Sequence, residues 1–332
     1  MIHLFPACRS ATPWRETTAL FVLLALLSVG CARNPDGAGS LPVREARTWT
    51  VPSEETMQPA PRSMASGGPG EVYVLDTAGR VLVYASDGTL ARQWRMPEVA
   101  AGKPEGIVRL NDGHLIVCDT HYHRVVEFDA GGKVAGMFGR EGKGPGEFIY
   151  PVAVTTDPRE NLYVAEYGSN DRIQVFTRQG GFLRAFGGFG TKPGDFQRPS
   201  GLVWIDNRLY VCDAFNNRIQ VFSDQGAFLK VLETPALQLP YDLKLGADHT
   251  LYVVEYGPGR VTHLNLDGRL IGRYGSRGTG LGQFVTPWGI AVLADGRLIV
   301  ADTGNRRLVE LAMETARVEG GGWKVEGEER RH

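Results

Sequence analysis

Leu209-Tyr-Val-Cys-Asp-Ala-Phe-Asn-Asn-Arg-Ile-Gln-Val-Phe222 decides the fold, because five other stretches are built on the same template. They are Val72–Tyr84 (VYVLDTAGRVLVY), Leu115–Phe128 (LIVCDTHYHRVVEF), Leu162–Phe176 (LYVAEYGSNDRIQVF), Leu251–Leu264 (LYVVEYGPGRVTHL) and Leu298–Leu311 (LIVADTGNRRLVEL). Each has an apolar alternating run ending in an acid, a polar turn, an Arg and a second alternating run, the period-2 pattern of half-buried strands. The acids are Asp76, Asp119, Glu166, Asp213, Glu255 and Asp302, spaced by 43, 47, 47, 42 and 47 residues. A period in this range marks a repeat architecture.

Working outward, each of the first five templates is followed by a Gly-bearing turn, such as SDQGAF after Phe222, and a short outer strand. It is preceded by a strand opening on Pro, as in PEGIVRL, PVAVTTD, PSGLVWI, PYDLKL and PWGIAVL. Four strands per unit and six units predict an all-β, six-bladed β-propeller. The 43 glycines among 332 residues, nearly twice the usual share, fall largely at these turns. Asp213–Leu229 (DAFNNRIQVFSDQGAFL) and Phe186–Trp204 (FGGFGTKPGDFQRPSGLVW) resemble the NHL repeat, and the resemblance extends over about residues 60 to 312. It implies four-stranded NHL-type blades and no particular activity, since one scaffold hosts many.

The last blade lacks an obvious outer strand after Leu311, and Arg44–Val51 (REARTWTV) has strand character ahead of the first. This N-terminal strand is expected to close the ring and hide two sheet edges, with the tail from Met313 as the other candidate. The expected propeller is therefore 44–312, with residues 313–332 a loose tail.

Ala19–Gly30 (ALFVLLALLSVG) is apolar but too short to span a bilayer, and it reads as the core of a signal peptide over 1–30. Small residues followed by Cys31 resemble a bacterial lipoprotein signal, which makes Cys31 the lipidation site and 31–43 a tether. The expectation is an exported, envelope-located protein whose only membrane attachment is its lipid. Cys118 and Cys212, both in VCD strings, read as small buried hydrophobes. With 36 Lys+Arg against 37 Asp+Glu, the balanced charge gives no reason to expect nucleic acid.

Features common to six blades serve packing; features found once are candidates for function. The acid and the Arg four to six residues later recur in every copy and read as a hairpin clamp. The Gly-rich loops running 13 residues from Phe138, Phe186 and Tyr274 to Pro151, Pro199 and Pro287 read as linkers between blades, not phosphate loops. His121 and His123 read as turn residues, since a zinc site needs three or four ligands.

The column directly after the inner-strand prolines breaks the symmetry: Arg62, Glu105, Val152, Ser200, Tyr241 and Trp288, with Asp242 beside it. These residues are expected around one mouth of the channel, with His121, Tyr167, Phe215 and Tyr256 outside them. Arg62, Glu105, Ser200, Tyr241, Asp242 and Trp288 are the candidate contacts for a small ligand or protein partner. The resemblance brings two enzyme classes into view. Peptide-amidating lyases place His after several such prolines to bind zinc, and this chain has none there. Calcium lactonases use Glu, Asn and Asp, of which Glu105 and Asp242 match in type while the Asn has no counterpart. The expectation is a binding or scaffold propeller with no catalytic residue, metal or cofactor assigned, and an enzyme acting on a small polar substrate at the same mouth as the alternative.

Overall fold

The computed structural model describes residues 39–68 and 70–314. The signal-peptide core, Cys31 and most of the tail lie outside them. Six four-stranded antiparallel sheets follow one another along the chain. Blade 4 shows the pattern, with Pro199–Ile205 innermost, then Arg208–Asp213, Arg218–Ser223 and Phe228–Val231 outermost. The inner strands of blades 1, 2, 3 and 5 are Pro61–Ser66, Gly106–Arg109, Tyr150–Thr156 and Pro240–Leu245. Each touches the next, and Ile290–Val292 of blade 6 touches that of blade 1, so the ring is closed.

The closing strand is the N-terminal one. Val43–Trp49 pairs antiparallel with Arg307–Met313, giving blade 6 its fourth strand. Trp49 Nε1 donates to Glu310 Oε2 at 2.8 Å, and Arg47 and Arg297 converge on the same carboxylate. Burial pushes Glu310 up, but these donors outweigh it and hold the carboxyl below its ordinary value. The described end of the segment read as a tether, residues 39–43, lies along blade 5: Leu41 N–H bonds Arg273 O, Arg273 N–H bonds Gly39 O, and the Leu41 side chain is buried. One short stretch thus joins the last two blades.

The core is six separate clusters, one between each pair of neighbouring blades. Both faces of each blade are therefore covered, which corrects the expectation of half-buried strands. Val72–Asp76, Leu115–Asp119 and Leu298–Asp302 are buried at every residue. Alternation survives only in outer strands such as Leu90–Arg95. Cys118 and Cys212 are free, buried members of these clusters, and burial pushes both thiols up, away from reactivity.

All six acid–Arg pairs form across the hairpin between the second and third strands. Asp213 shows the full clamp: it accepts from Gln197 N, Asn216 Nδ2, Arg218 Nε and Gln220 Nε2. Arg218 in turn donates to the carbonyls of Thr191, Lys192 and Asp195, tying the linker down. In the three long linkers a left-handed Gly packs against a Phe ring. A Cβ on Gly187 would lie 2.4 Å from Phe196, so the position needs glycine for both its φ of 86° and its contact.

Candidate functional site

Pairing fixes which groups share a face. Pro61, Pro151, Pro199 and Pro240 stand opposite Asp76, Glu166, Asp213 and Glu255, so inner strands begin where second strands end. Register shifts follow immediately, between Pro61 and Met64, Pro151 and Ala153, Pro199 and Gly201, and Pro240 and Asp242. Arg62, Val152, Ser200 and Tyr241 occupy these bulges, which re-aim a side chain out of the regular ladder. Glycine follows the column in blades 2, 4 and 6 and lets neighbouring inner strands crowd together. A Cβ on Gly106, Gly201 or Gly289 would stand within 2.9 Å of backbone in the next blade.

The column assembles only in part. Arg62 Nη1 donates to Glu105 Oε1 at 3.2 Å, and Arg198 Nη2 donates to Glu105 Oε2 at 2.8 Å and to Tyr241 Oη at 3.0 Å. The Arg62 guanidinium sits 4.5 Å from the Trp288 ring centroid, and that of Arg198 sits 3.6 Å from the centroid of Tyr167. Tyr241 meets Trp288 edge-on at 4.8 Å and Tyr256 at 5.0 Å. Burial pushes the Tyr241 hydroxyl up to about 12, so it stays protonated while it accepts from Arg198.

Val152, Ser200 and Asp242 stand apart. Val152 is buried in the cluster between blades 3 and 4. Ser200 Oγ donates to Pro240 O at 3.3 Å. Asp242 pairs with Lys244 at 2.7 Å and accepts from Ile290 N at 3.1 Å, bridging two inner strands. His121 and His123 lie against Tyr150, with His123 Nδ1 2.5 Å from Ile149 O, as turn residues. Among the described residues no group of three or more His, Cys, Asp or Glu could hold a metal ion.

Arg198, central to this cluster, was missed by the sequence reading because the column lies on the other side of the proline, two residues later. The signal was present: the residues before the six prolines are Ala60, Lys103, Tyr150, Arg198, Leu239 and Thr286, a second column that also breaks symmetry. The backbone at Arg198, Leu239 and Thr286 is left-handed.

With both Glu105 oxygens bonded to guanidiniums, this part of the mouth is filled. Open volume lies beside it, in a cavity of about 340 Å³ above blades 3 and 4. Tyr167, Asp171, Phe189, Arg198 and Phe215 line it. Phe189 and Phe215 are 63% and 59% exposed, unusual for Phe. Two further cavities open where the first and second strands turn, on the opposite face. One of about 620 Å³ lies between blades 5 and 6, and one of about 140 Å³ lies between blades 3 and 4.

The fold and the repeated clamp define a class, the six-bladed β-propeller. The NHL repeat model matches residues 102–128 and 284–311, so the chain carries NHL repeats on that propeller. Over 108 residues it is 32% identical to Protein brain tumor of Drosophila melanogaster, a match covering 32% of this chain and 10% of that protein. Over 87 residues it is 33% identical to RING finger protein nhl-1 of Caenorhabditis elegans, covering 26% and 9%. The chain thus spans about a tenth of the length of these curated relatives. Among solved structures, a streptogramin B lyase superposes with a TM-score of 0.56 at 15% identity, covering 81% of this chain and 98% of its own. Catalytically inactive virginiamycin B lyase from Staphylococcus aureus, solved with quinupristin, gives 0.58 at 18% identity, covering 83% and 89%. At these identities the likeness is one of fold alone.

Proposed function

We propose that the chain is a binding propeller, exported and held at the bacterial envelope by a lipid on Cys31, which receives a small ligand or protein partner on its mouth face. The observation that carries this reading is the break in symmetry at that face. Arg62, Glu105, Arg198, Tyr241 and Trp288 form a hydrogen-bonded and ring-stacked platform, and beside it two exposed phenylalanines wall an apolar cavity. The apolar run ending in small residues before Cys31 supports export and lipidation. A single lipid-bearing Cys anchors through its chains at about 0.8 kcal/mol per buried CH₂, so the propeller needs no membrane-facing patch of its own.

The lyase names of the structural neighbours favour a second reading, an enzyme acting on a small polar substrate at the same mouth. Binding is favoured because Glu105, the acid of the column beside that cavity, has both oxygens engaged by guanidiniums. Placing the photo-crosslinking residue benzoylphenylalanine at Phe215 on the mouth, or at Gln225 on the opposite face, tests the reading in cells. Adducts from position 215 and none from 225 are expected; adducts from 225 alone overturn it. Cys31→Ser should release the protein from the membrane fraction, and unchanged fractionation refutes the anchor.

A further inference from the structure

We propose that the cavity above blades 3 and 4 is a subsite for an aromatic ring bearing a carboxylate, whether a free aromatic acid or the C-terminal aromatic residue of a peptide. This rests on the mouth being the binding face and names the chemistry that the face selects.

The other blades act as an internal control for the ring. Phe189 lies in a linker whose bridge to Phe196 recurs as Glu141 to Phe148 and as Arg277 to Phe284. Its counterparts are thus charged. Phe215 lies in the single turn Ala214–Asn216, whose counterparts Thr120–Tyr122 and Thr303–Asn305 place His121 and Gly304 there. If blade packing required Phe at either position, the other blades would have one. Two large apolar side chains, more than half exposed and walling the same cavity, fit an aromatic guest. At about 340 Å³ the cavity is near the lower end of ligand pockets, with room for one ring and its head group.

The carboxylate follows from the donors. Arg198 also lines the cavity, and its side chain is nine-tenths buried. Its Nη2 is bonded to Glu105 and Tyr241, but its Nε–H has no hydrogen-bond partner among the described residues. Arg62 shares the same Glu105, so two guanidiniums meet one acidic side chain, and the Arg62 Nε–H is also unpartnered. Asp171, the acid lining the cavity, is turned to backbone and accepts from the Arg198 N–H at 2.7 Å. The guanidinium lining the cavity thus belongs to a pair that shares one carboxylate, and a guest carboxylate is its strongest match.

Calorimetric titration of the full chain tests this with N-acetylphenylalanine, N-acetylphenylalaninamide, N-acetylalanine and a pentapeptide ending in Phe. The ring-bearing carboxylates should bind, the amide at least tenfold more weakly, and the alanine probe not measurably. Phe189→Ser and Phe215→Ser, both at exposed positions, should each weaken binding at least tenfold with an unchanged melting temperature. Arg198→Lys keeps the charge but loses the planar donor and should do the same. If that variant fails to fold, the comparison of acid with amide still decides the carboxylate. A pentapeptide tighter than N-acetylphenylalanine assigns the site to peptide ends, and equal or weaker binding assigns it to free acids. No binding by either carboxylate, equal binding of the amide, or indifference to both Phe changes overturns the proposal. If crosslinking from position 215 persists in that event, the mouth remains the binding face and only this chemistry fails; if it is lost too, both fail.

Discussion

Trp49→Ala strikes the seam where the two ends of the propeller meet. The Trp49 ring is 97% buried, lies 5.7 Å from Tyr84 of blade 1 and donates to Glu310 of blade 6. Removing a large buried aromatic costs about 3–5 kcal/mol. Glu310 keeps Arg47 and Arg297, so no orphaned charge adds to that figure. The expected loss is about 4 kcal/mol, which for a domain of this size lowers the melting temperature by about 7 °C. Trp49→Phe keeps most of the packing and loses the N–H, and should cost about 2 kcal/mol. Urea unfolding gives the energies, and native-state hydrogen exchange locates them. If the seam opens only with the whole ring, protection of the Arg307–Met313 amides should fall about a thousandfold in the Ala variant. A cost below about 1 kcal/mol, with those amides as protected as before, would refute the account of closure.

Three further outcomes follow from the same structure. Asp213→Ala removes the acceptor of four donors while Arg218 keeps its linker carbonyls, so a loss of about 3 kcal/mol is expected in urea. Gly289→Ala would bring a Cβ within 2.5 Å of Arg62 O and should cost about 1–3 kcal/mol, visible as a lowered melting temperature. His263 is held below its ordinary value by burial, against the pull of Asp248. Its neutral ring is favoured in the fold, so its stabilisation is complete above pH 6.5 and drains as pH falls from there toward the folded value. The loss is at most about 1.4 kcal/mol per pH unit. His263→Phe, which can preserve the stack on Tyr252, should flatten that limb of the melting-temperature profile; an unchanged slope assigns it to other groups.

The architecture was legible because its information is local and repeated. Between two runs of period 2, an acid and an Arg four to six residues apart meet across one hairpin, and six copies at a steady period leave few alternatives to a ring. Burial was misjudged for a physical reason: period-2 alternation reports one covered face, whereas the second and third strands of a blade are covered on both. The site was half legible. Arg62, Glu105, Tyr241 and Trp288 came from one column and do meet, whereas Ser200 and Asp242 share that region of sequence but bond to neighbouring inner strands. Arg198 escaped because it precedes its proline, and its left-handed backbone, which a sequence does not display, accompanies a side chain placed in the mouth. Phe189 looked like one more residue of a recurring Gly-rich linker; its exposure, and the charged Glu141 and Arg277 at the equivalent places, set it apart.

The central claim is that ligand meets this chain at the mouth, over blades 3 and 4, and not in the larger groove of the opposite face between blades 5 and 6. Crystals of the propeller soaked in a panel of small aromatic carboxylates test it most directly. Density between Phe189 and Phe215, with an acid group reaching Arg198, is the predicted result. Occupancy confined to the groove beside Tyr252, His263 and Met313 would contradict it.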